Sequence, residues 1–172
     1  MDHILTLRDK DIFPGYREQK IDYVLREASR GVVFDFTGKI AALFVAKDGY
    51  YKLAGGGLES GENKLSAMVR ECLEETGCYI HNLQEIGLVE EWRDKYKLHQ
   101  KSYCFIAEVK GEKGQTNFDA GETADGFRLD WLGFDQALKV FSGQSTDSYE
   151  GKFIIRRDLA ILQKAKELYG KK

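Results

Sequence analysis

Apolar positions along this chain follow two different periods. Gly31-Val32-Val33-Phe34-Asp35-Phe36 is one short apolar run, Thr37-Gly38-Lys39 interrupts it, and Ile40 to Ala46 is a second run. Two such runs around a tight turn predict a β-hairpin. Lys47-Asp48-Gly49 marks another turn, and Tyr50 to Leu53 reads as a short strand running into Gly55-Gly56-Gly57. Ile80 to Trp92 and Ser102 to Val109 predict two longer strands. In the second, Tyr103, Phe105, Ala107 and Val109 alternate with Cys104, Ile106 and Glu108, the period of two that sends side chains to opposite faces. Phe127 to Leu132 predicts a further strand. Helical spacing takes over in residues 64–76, around Phe134 to Phe141, and in a C-terminal helix over 151–169. In that last helix Ile155, Leu159, Leu162, Ala165 and Tyr169 form the apolar stripe. Residues 1–30 are polar with scattered apolar positions. They read as an N-terminal extension or an edge strand, with one short strand and a turn at Pro14-Gly15.

Strands, a central helix, more strands and closing helices predict a mixed sheet covered on both faces, of the α/β or α+β class. At 172 residues the chain is expected to form a single domain, over 1–172.

Chemistry concentrates in residues 56–78, GGLESGENKLSAMVRECLEETGC. Asn63 is the expected N-cap of the helix and Gly77 the residue that ends it. Positions three and four apart share a helix face, so Glu71, Glu74 and Glu75 fall within an arc of roughly 100°. Leu65, Met68, Val69, Cys72 and Leu73 fill the other arc and are expected to pack on the core. Three carboxylates this close repel one another, and a raised pKa is expected for at least one. Mg²⁺ or Mn²⁺ relieves such repulsion through hard oxygen ligands. The acidic face carries no histidine or cysteine, which disfavours zinc. Alone, E-x-x-E-E is an ordinary solvated helix face. The joint spacing of Gly56, Glu62, Arg70, Glu71, Glu74, Glu75 and Gly77 is not ordinary.

That segment resembles the box of the Nudix hydrolase family, G-x5-E-x7-R-E-U-x-E-E-x-G-U, where U is a bulky apolar residue. The two U positions hold Cys72 and Cys78, mild departures because buried free cysteine behaves as a small hydrophobe. The resemblance implies a Nudix fold, a curved mixed β-sheet inside an α/β/α sandwich. It implies metal-dependent hydrolysis of a diphosphate linkage in a nucleoside diphosphate derivative, releasing a nucleoside monophosphate. By position, Glu71, Glu74 and Glu75 would hold Mg²⁺ (or Mn²⁺), with the backbone carbonyl of Gly55 as a further ligand. Arg70 would steady a glutamate, and Glu62 would brace the junction of loop and helix through Arg70. Glu71 is the first choice of general base, with Glu122 and Asp125 of the loop Asp119 to Asp125 as rivals.

Marks of substrate lie outside the box. ADP-ribose-specific members often carry a proline some way past it, where this chain has Arg93; its only proline is Pro14. Tyr96 stands near a tyrosine typical of diadenosine polyphosphate hydrolases. Such a hydrolase, a diphosphatase that removes oxidised nucleotides, and a non-catalytic Nudix-fold ligand sensor are the alternatives. The complete set of polar box residues favours catalysis over sensing. Tyr50, Tyr51, Trp92, Tyr96, Tyr103 and Phe127 are candidates to stack on a base.

Composition narrows the partners. A net charge of −2 without a basic run argues against extended nucleic acid. No apolar run is long enough to span a bilayer, and the first residues, MDHILTLRDKDIF, do not read as a signal peptide. Three cysteines without C-x-x-C spacing fit a reducing cytoplasm. The expected partner is a small-molecule nucleotide, and a homodimer formed by strand exchange of residues 1–30 is compatible with the pattern.

Overall fold

The computed structural model describes residues 2–169. Among them, seven strands form one open mixed sheet: β1 (His3–Arg8), β2 (Val24–Phe34), β3 (Lys39–Val45), β4 (Tyr50–Lys52), β5 (Tyr79–Arg93), β6 (Leu98–Lys110) and β7 (Phe127–Gly133). The order is β1-β5-β6-β2-β3-β4, with β7 also paired to β3. β2 runs parallel to β6 from Val24 opposite Leu98 to Phe34 opposite Glu108. β1 is parallel to β5, while β5–β6, β3–β4 and β3–β7 are antiparallel. Five α-helices, α1 (Asp9–Ile12), α2 (Lys64–Thr76), α3 (Ala120–Ala124), α4 (Phe134–Gly143) and α5 (Tyr149–Tyr169), and one 3₁₀ turn, Asp94–Tyr96, complete the described elements.

Side-chain parity explains the layers. Val32, Phe34, Ile40, Ala42, Cys104 and Ile106 point to one face, where they meet Phe141 of α4 and Ile161 and Leu162 of α5. Val33, Ala41, Leu43, Phe105 and Ala107 point to the other, where they meet Met68 and Cys72 of α2. A sheet buried on both faces reads as near-continuous apolar runs, and the result is the expected α/β/α sandwich.

Three expectations shift. β2 begins at Val24, well before Gly31. Its first half, VLREASR, is held by backbone pairing to β6, while Val24 and Leu25 stay 70% and 53% exposed, so no apolar alternation betrays it. In α5 the buried stripe is Phe153, Ile154, Arg157, Asp158, Ile161, Leu162 and Ala165, rotated from the one expected. Two charged residues occupy core positions because Arg157 Nε and Asp158 Oδ1 pair at 2.6 Å. In α2 the buried residues are Ala67, Met68, Glu71, Cys72, Glu75 and Thr76, whereas Leu65 is 49% exposed. The helix turns two glutamates inward, toward partners described below.

This rotation separates two apolar residues of α2 that the sequence pattern groups together. Met68→Ala should cost about 2–5 kcal/mol of unfolding free energy in urea titration, because a fully buried side chain leaves a cavity. Leu65→Ser should change it by no more than about 0.5 kcal/mol. Equal losses would place Leu65 in the core after all.

Candidate active site

Both ends of α2 are built as the spacing predicts. Asn63 Oδ1 accepts the N–H groups of Leu65 (2.9 Å) and Ser66 (3.0 Å). Gly77 adopts φ +68°, and its N–H donates to the Leu73 carbonyl at 3.0 Å.

Ahead of the helix, the glycine-rich loop is laced to β2. The N–H groups of Ser29 and Gly31 donate to the carbonyls of Gly56 and Ala54, each at 2.9 Å. Two glycines here have a steric cause. A Cβ on Gly55, at φ +131°, would lie 2.1 Å from the Ser29 carbonyl oxygen, and one on Gly56 would lie 2.1 Å from Glu71 Oε1. The loop backbone therefore fits between β2 and the carboxylate of Glu71, where no side chain has room.

Arg70 ties that loop to the helix. Its Nε and Nη2 donate to the two carboxylate oxygens of Glu62, each at 3.0 Å, and Nη2 also reaches the Gly57 carbonyl at 3.0 Å. Nη1 donates to Glu71 Oε1 at 2.9 Å and Glu74 Oε2 at 3.2 Å. The Glu62 carboxylate holds Arg70 in its charged form, raising its pKa, and Arg70 in turn lowers that of Glu62. Glu62 closes the loop by accepting the Glu59 N–H at 2.9 Å.

Glu75 is 1% exposed and points under the loop. Its Oε1 accepts from Lys52 Nζ at 2.7 Å and its Oε2 from the Gly55 N–H at 2.6 Å. Burial raises its pKa, the charge and hydrogen bond of Lys52 pull it back, and repulsion from Glu71 adds a smaller rise. Glu74 is the outermost of the three, with 42% of its side chain exposed.

The three box glutamates thus stand side by side, each with a cationic partner. No group of three His, Cys, Asp or Glu side chains among the described residues is drawn together as a ready coordination shell. The donor set still suits a hard divalent cation. Glu71 and Glu74 present carboxylates held by one arginine, and the Gly55 carbonyl takes part in no hydrogen bond among the described residues.

These groups line a cleft of about 780 Å³. Glu71, Glu74 and Glu122 supply carboxylates to it, and Lys52, Arg26, Arg30 and Arg157 supply cations. The loop Asp119 to Asp125 folds as the short helix α3. Asp119 caps it by accepting the Glu122 N–H at 2.7 Å, and Glu122 accepts the Asp119 N–H at 2.9 Å. Burial raises the Glu122 pKa, and the charge of Glu71 adds to the rise. Asp125 also lines the cleft but is tied to Lys47 at 2.9 Å.

Of the aromatic candidates, Tyr50 and Phe127 line the cleft. Trp92 instead stacks on His99 at 4.1 Å, Tyr96 packs edge-on against Tyr149, and Tyr103 hydrogen-bonds Glu27. Sequence reasoning missed Lys52, Arg26, Arg30, Arg157 and Phe118. Arg26 and Arg30 share strand parity with Val32 and Phe34, but that row is legible only once β2 is known to begin at Val24.

Comparison with known proteins bears on the family and the fold. Among curated proteins, the chain is 26% identical over 103 residues to an RNA pyrophosphohydrolase of Xylella fastidiosa, covering 52% of this chain and 54% of that one. It is 25% identical over 91 residues to an RNA pyrophosphohydrolase of Francisella philomiragia, covering 46% and 59%. The chain thus spans somewhat over half the length of these relatives. A MutT NUDIX hydrolase from Burkholderia pseudomallei superposes with a TM-score of 0.56 at 17% identity, over 79% of this chain and 98% of that one. An ADP-ribose pyrophosphatase from Streptococcus suis gives 0.54 at 17% identity, over 82% and 91%. At such identity these structures speak for the fold alone. The family model described as NUDIX domain matches residues 24–150, from the first residue of β2 into α5, and on that match the chain belongs to the NUDIX family.

Proposed function

We propose that this chain is a metal-dependent pyrophosphohydrolase, which cuts a diphosphate linkage in a nucleoside diphosphate derivative and releases a nucleoside monophosphate. The observation that carries this reading is the Arg70 hub. It aligns Glu71 and Glu74 on the wall of a cleft large enough for a nucleotide. Glu71, Glu74 and the Gly55 carbonyl would hold Mg²⁺ (or Mn²⁺), with Glu75 behind them. A bound divalent ion supplies neutralisation of phosphoryl oxygens and acidifies a water. Arg70 orients the carboxylates and leaves the substrate to others. Glu62 holds Arg70 in place. Glu122, half-buried with a raised pKa, is suited to accept a proton at its carboxylate and rivals Glu71 as general base. Asp125 is less suited, being paired with Lys47. Three buried free cysteines fit a reducing compartment such as the cytoplasm.

A panel with Mg²⁺ tests the reading: nucleoside triphosphates, dinucleoside polyphosphates, ADP-ribose, sugar nucleotides and a 5′-triphosphorylated RNA oligomer, monitored for monophosphate, pyrophosphate or phosphate release. The RNA arm is included because the curated relatives are RNA pyrophosphohydrolases. Turnover of at least one class is expected. Silence across the panel with tight ligand binding would make the chain a sensor.

On the competent substrate, Glu71→Gln should lower kcat by about a hundredfold or more, with an unchanged far-UV circular dichroism spectrum. Wild-type turnover in that variant would remove Glu71 from the mechanism.

The pH profile separates the two bases. A group that accepts a proton must be ionised, so the rate should rise with pH through its pKa. Burial raises that of Glu122, which puts the acid limb above the ordinary glutamate value of about 4.3. Glu122→Gln should abolish that limb and slow turnover. If the limb persists at full rate, the base lies elsewhere.

A further inference from the structure

The cleft has a second, basic half that the hydrolytic reading does not use. Arg26 and Arg30 leave β2 on the face covered by α5, and Arg157 comes from α5 itself. The Gly55 to Gly57 loop lies beside them: a Cβ on Gly55 would touch the Arg30 backbone, and one on Gly57 would lie 2.8 Å from Arg26 Nη2.

Arg30 is 6% exposed, and Arg157 is 1% exposed. Arg30 Nη1 donates to the Ser29 carbonyl at 3.1 Å, but its Nε has no partner. Arg157 Nε donates to Asp158 at 2.6 Å, but its Nη1 makes no hydrogen bond, with Glu91 Oε2 lying 3.5 Å away. Arg26 Nη1 donates only to the neutral Gln100 side chain, at 2.8 Å. Among the described residues, neither Arg26 nor Arg30 forms an ion pair.

Asp158 and Glu91 are the ion-pair partners of Arg157, and both have further bonds, as do the other carboxylates nearby. Asp158 also accepts the Leu53 N–H at 2.7 Å. Glu91 accepts from Arg93 at 2.7 Å and from Gln100 at 2.9 Å. Glu150 accepts from Arg93 at 2.8 Å, and Glu75 is held by Lys52 and Gly55. Burial and the charge of Arg157 push the Arg30 pKa down to about 10, against the pull of Asp158 and Glu75. Arg30, unlike Arg157, is a buried guanidinium with no ion-pair partner among the described residues, which is costly unless an anion supplies the counter-charge. Guanidinium forks match phosphate oxygens in geometry and charge.

We propose that Arg30 and Arg157, with Arg26 at the rim, form a phosphate-binding subsite for a phosphoryl group beyond the diphosphate that is cut. This rests on the hydrolytic reading above and narrows it. The favoured substrates carry three or more phosphoryl groups in a row, as nucleoside triphosphates, dinucleoside polyphosphates and 5′-triphosphorylated RNA do. ADP-ribose and sugar nucleotides offer no group to this half of the cleft.

The test uses the full chain and inorganic pyrophosphate, with EDTA present so that no divalent ion bridges protein and probe. Pyrophosphate should shift the Nε–H resonances of Arg30 and Arg157 in ¹⁵N-correlated spectra. In calorimetric titration its affinity should fall about tenfold or more in Arg30→Gln and in Arg26→Gln, the loss of a charge-assisted hydrogen bond. Arg26 is exposed, so its variant keeps the test decisive if Arg30→Gln fails to fold. Resonances that ignore pyrophosphate, or undiminished affinity in folded variants, would overturn the subsite and leave Arg30 a structural pillar. Wild-type preference for ADP-ribose over every substrate with three phosphoryl groups would overturn the substrate class. Arginine-dependent binding of pyrophosphate alongside a silent substrate panel would sink catalysis and leave the subsite standing.

Discussion

The guanidinium of Arg70 joins three parts of the chain at one point: Glu62 before the helix, the Gly57 carbonyl in the loop, and Glu71 and Glu74 on the helix itself. Only a planar fork with five donors satisfies so many acceptors at once. A lysine would offer a point charge without direction, and the loop would lose its fixed register against the helix. Hydrogen bonds to charged groups contribute about 1.5–3 kcal/mol each before the cost of burying the charge is subtracted. The net gain in stability is therefore modest, and what Arg70 chiefly supplies is position. Gly56 is the counterpart of this constraint, because the Glu71 carboxylate occupies the volume that any Cβ there would need.

How much of this could be read in the sequence depended on whether the signal was local. The hairpin of β2 and β3, the long strands β5 and β6, and the caps of α2 each follow from a few neighbouring residues, and each lies close to where the pattern puts it. The box supplied the loop, the helix and Arg70 with its glutamates. Distant pairing was illegible. The first half of β2 is a strand only because β6 lies alongside it, and its exposed Val24 and Leu25 carry no periodic mark. Arg157 and Asp158 fall outside the apolar stripe expected of α5, yet they are buried against Glu91 of β5 and the Leu53 backbone. Glu71 and Glu75 misled in the same way: apolar periodicity turned α2 toward Leu65, and pairing with Arg70 and Lys52 turned it back.

The same rule accounts for the end of the sheet beneath the cleft. Toward α4 and α5 the sheet face is apolar, with Val32, Phe34 and Ile106 packed on Ile161 and Leu162. A few residues earlier on β2 the same row becomes Arg30 and Arg26, and β5 contributes Glu91 and Arg93 in place of aliphatic side chains. Well-packed apolar residues would serve stability as well or better at such positions. Buried charges that cost stability and border a cleft are what a binding site requires, and two of the arginines lining the cleft each keep an unpartnered donor.

On the proposed reading, competition among cations would decide how the acidic half works. Every box carboxylate already has a partner, so an arriving divalent ion must share or displace one. Glu75 is the hardest to recruit, because it is buried and both of its oxygens accept short bonds from Lys52 and Gly55. Glu74 is the easiest, since it is half exposed and makes a single 3.2 Å contact to Arg70. Glu71 lies between them. Arg70 would keep Glu62 and the Gly57 carbonyl on yielding Glu71 or Glu74, contacts that tie it to the loop independently of those two carboxylates. Glu75 then serves best where it stands, fixing the loop through the Gly55 N–H.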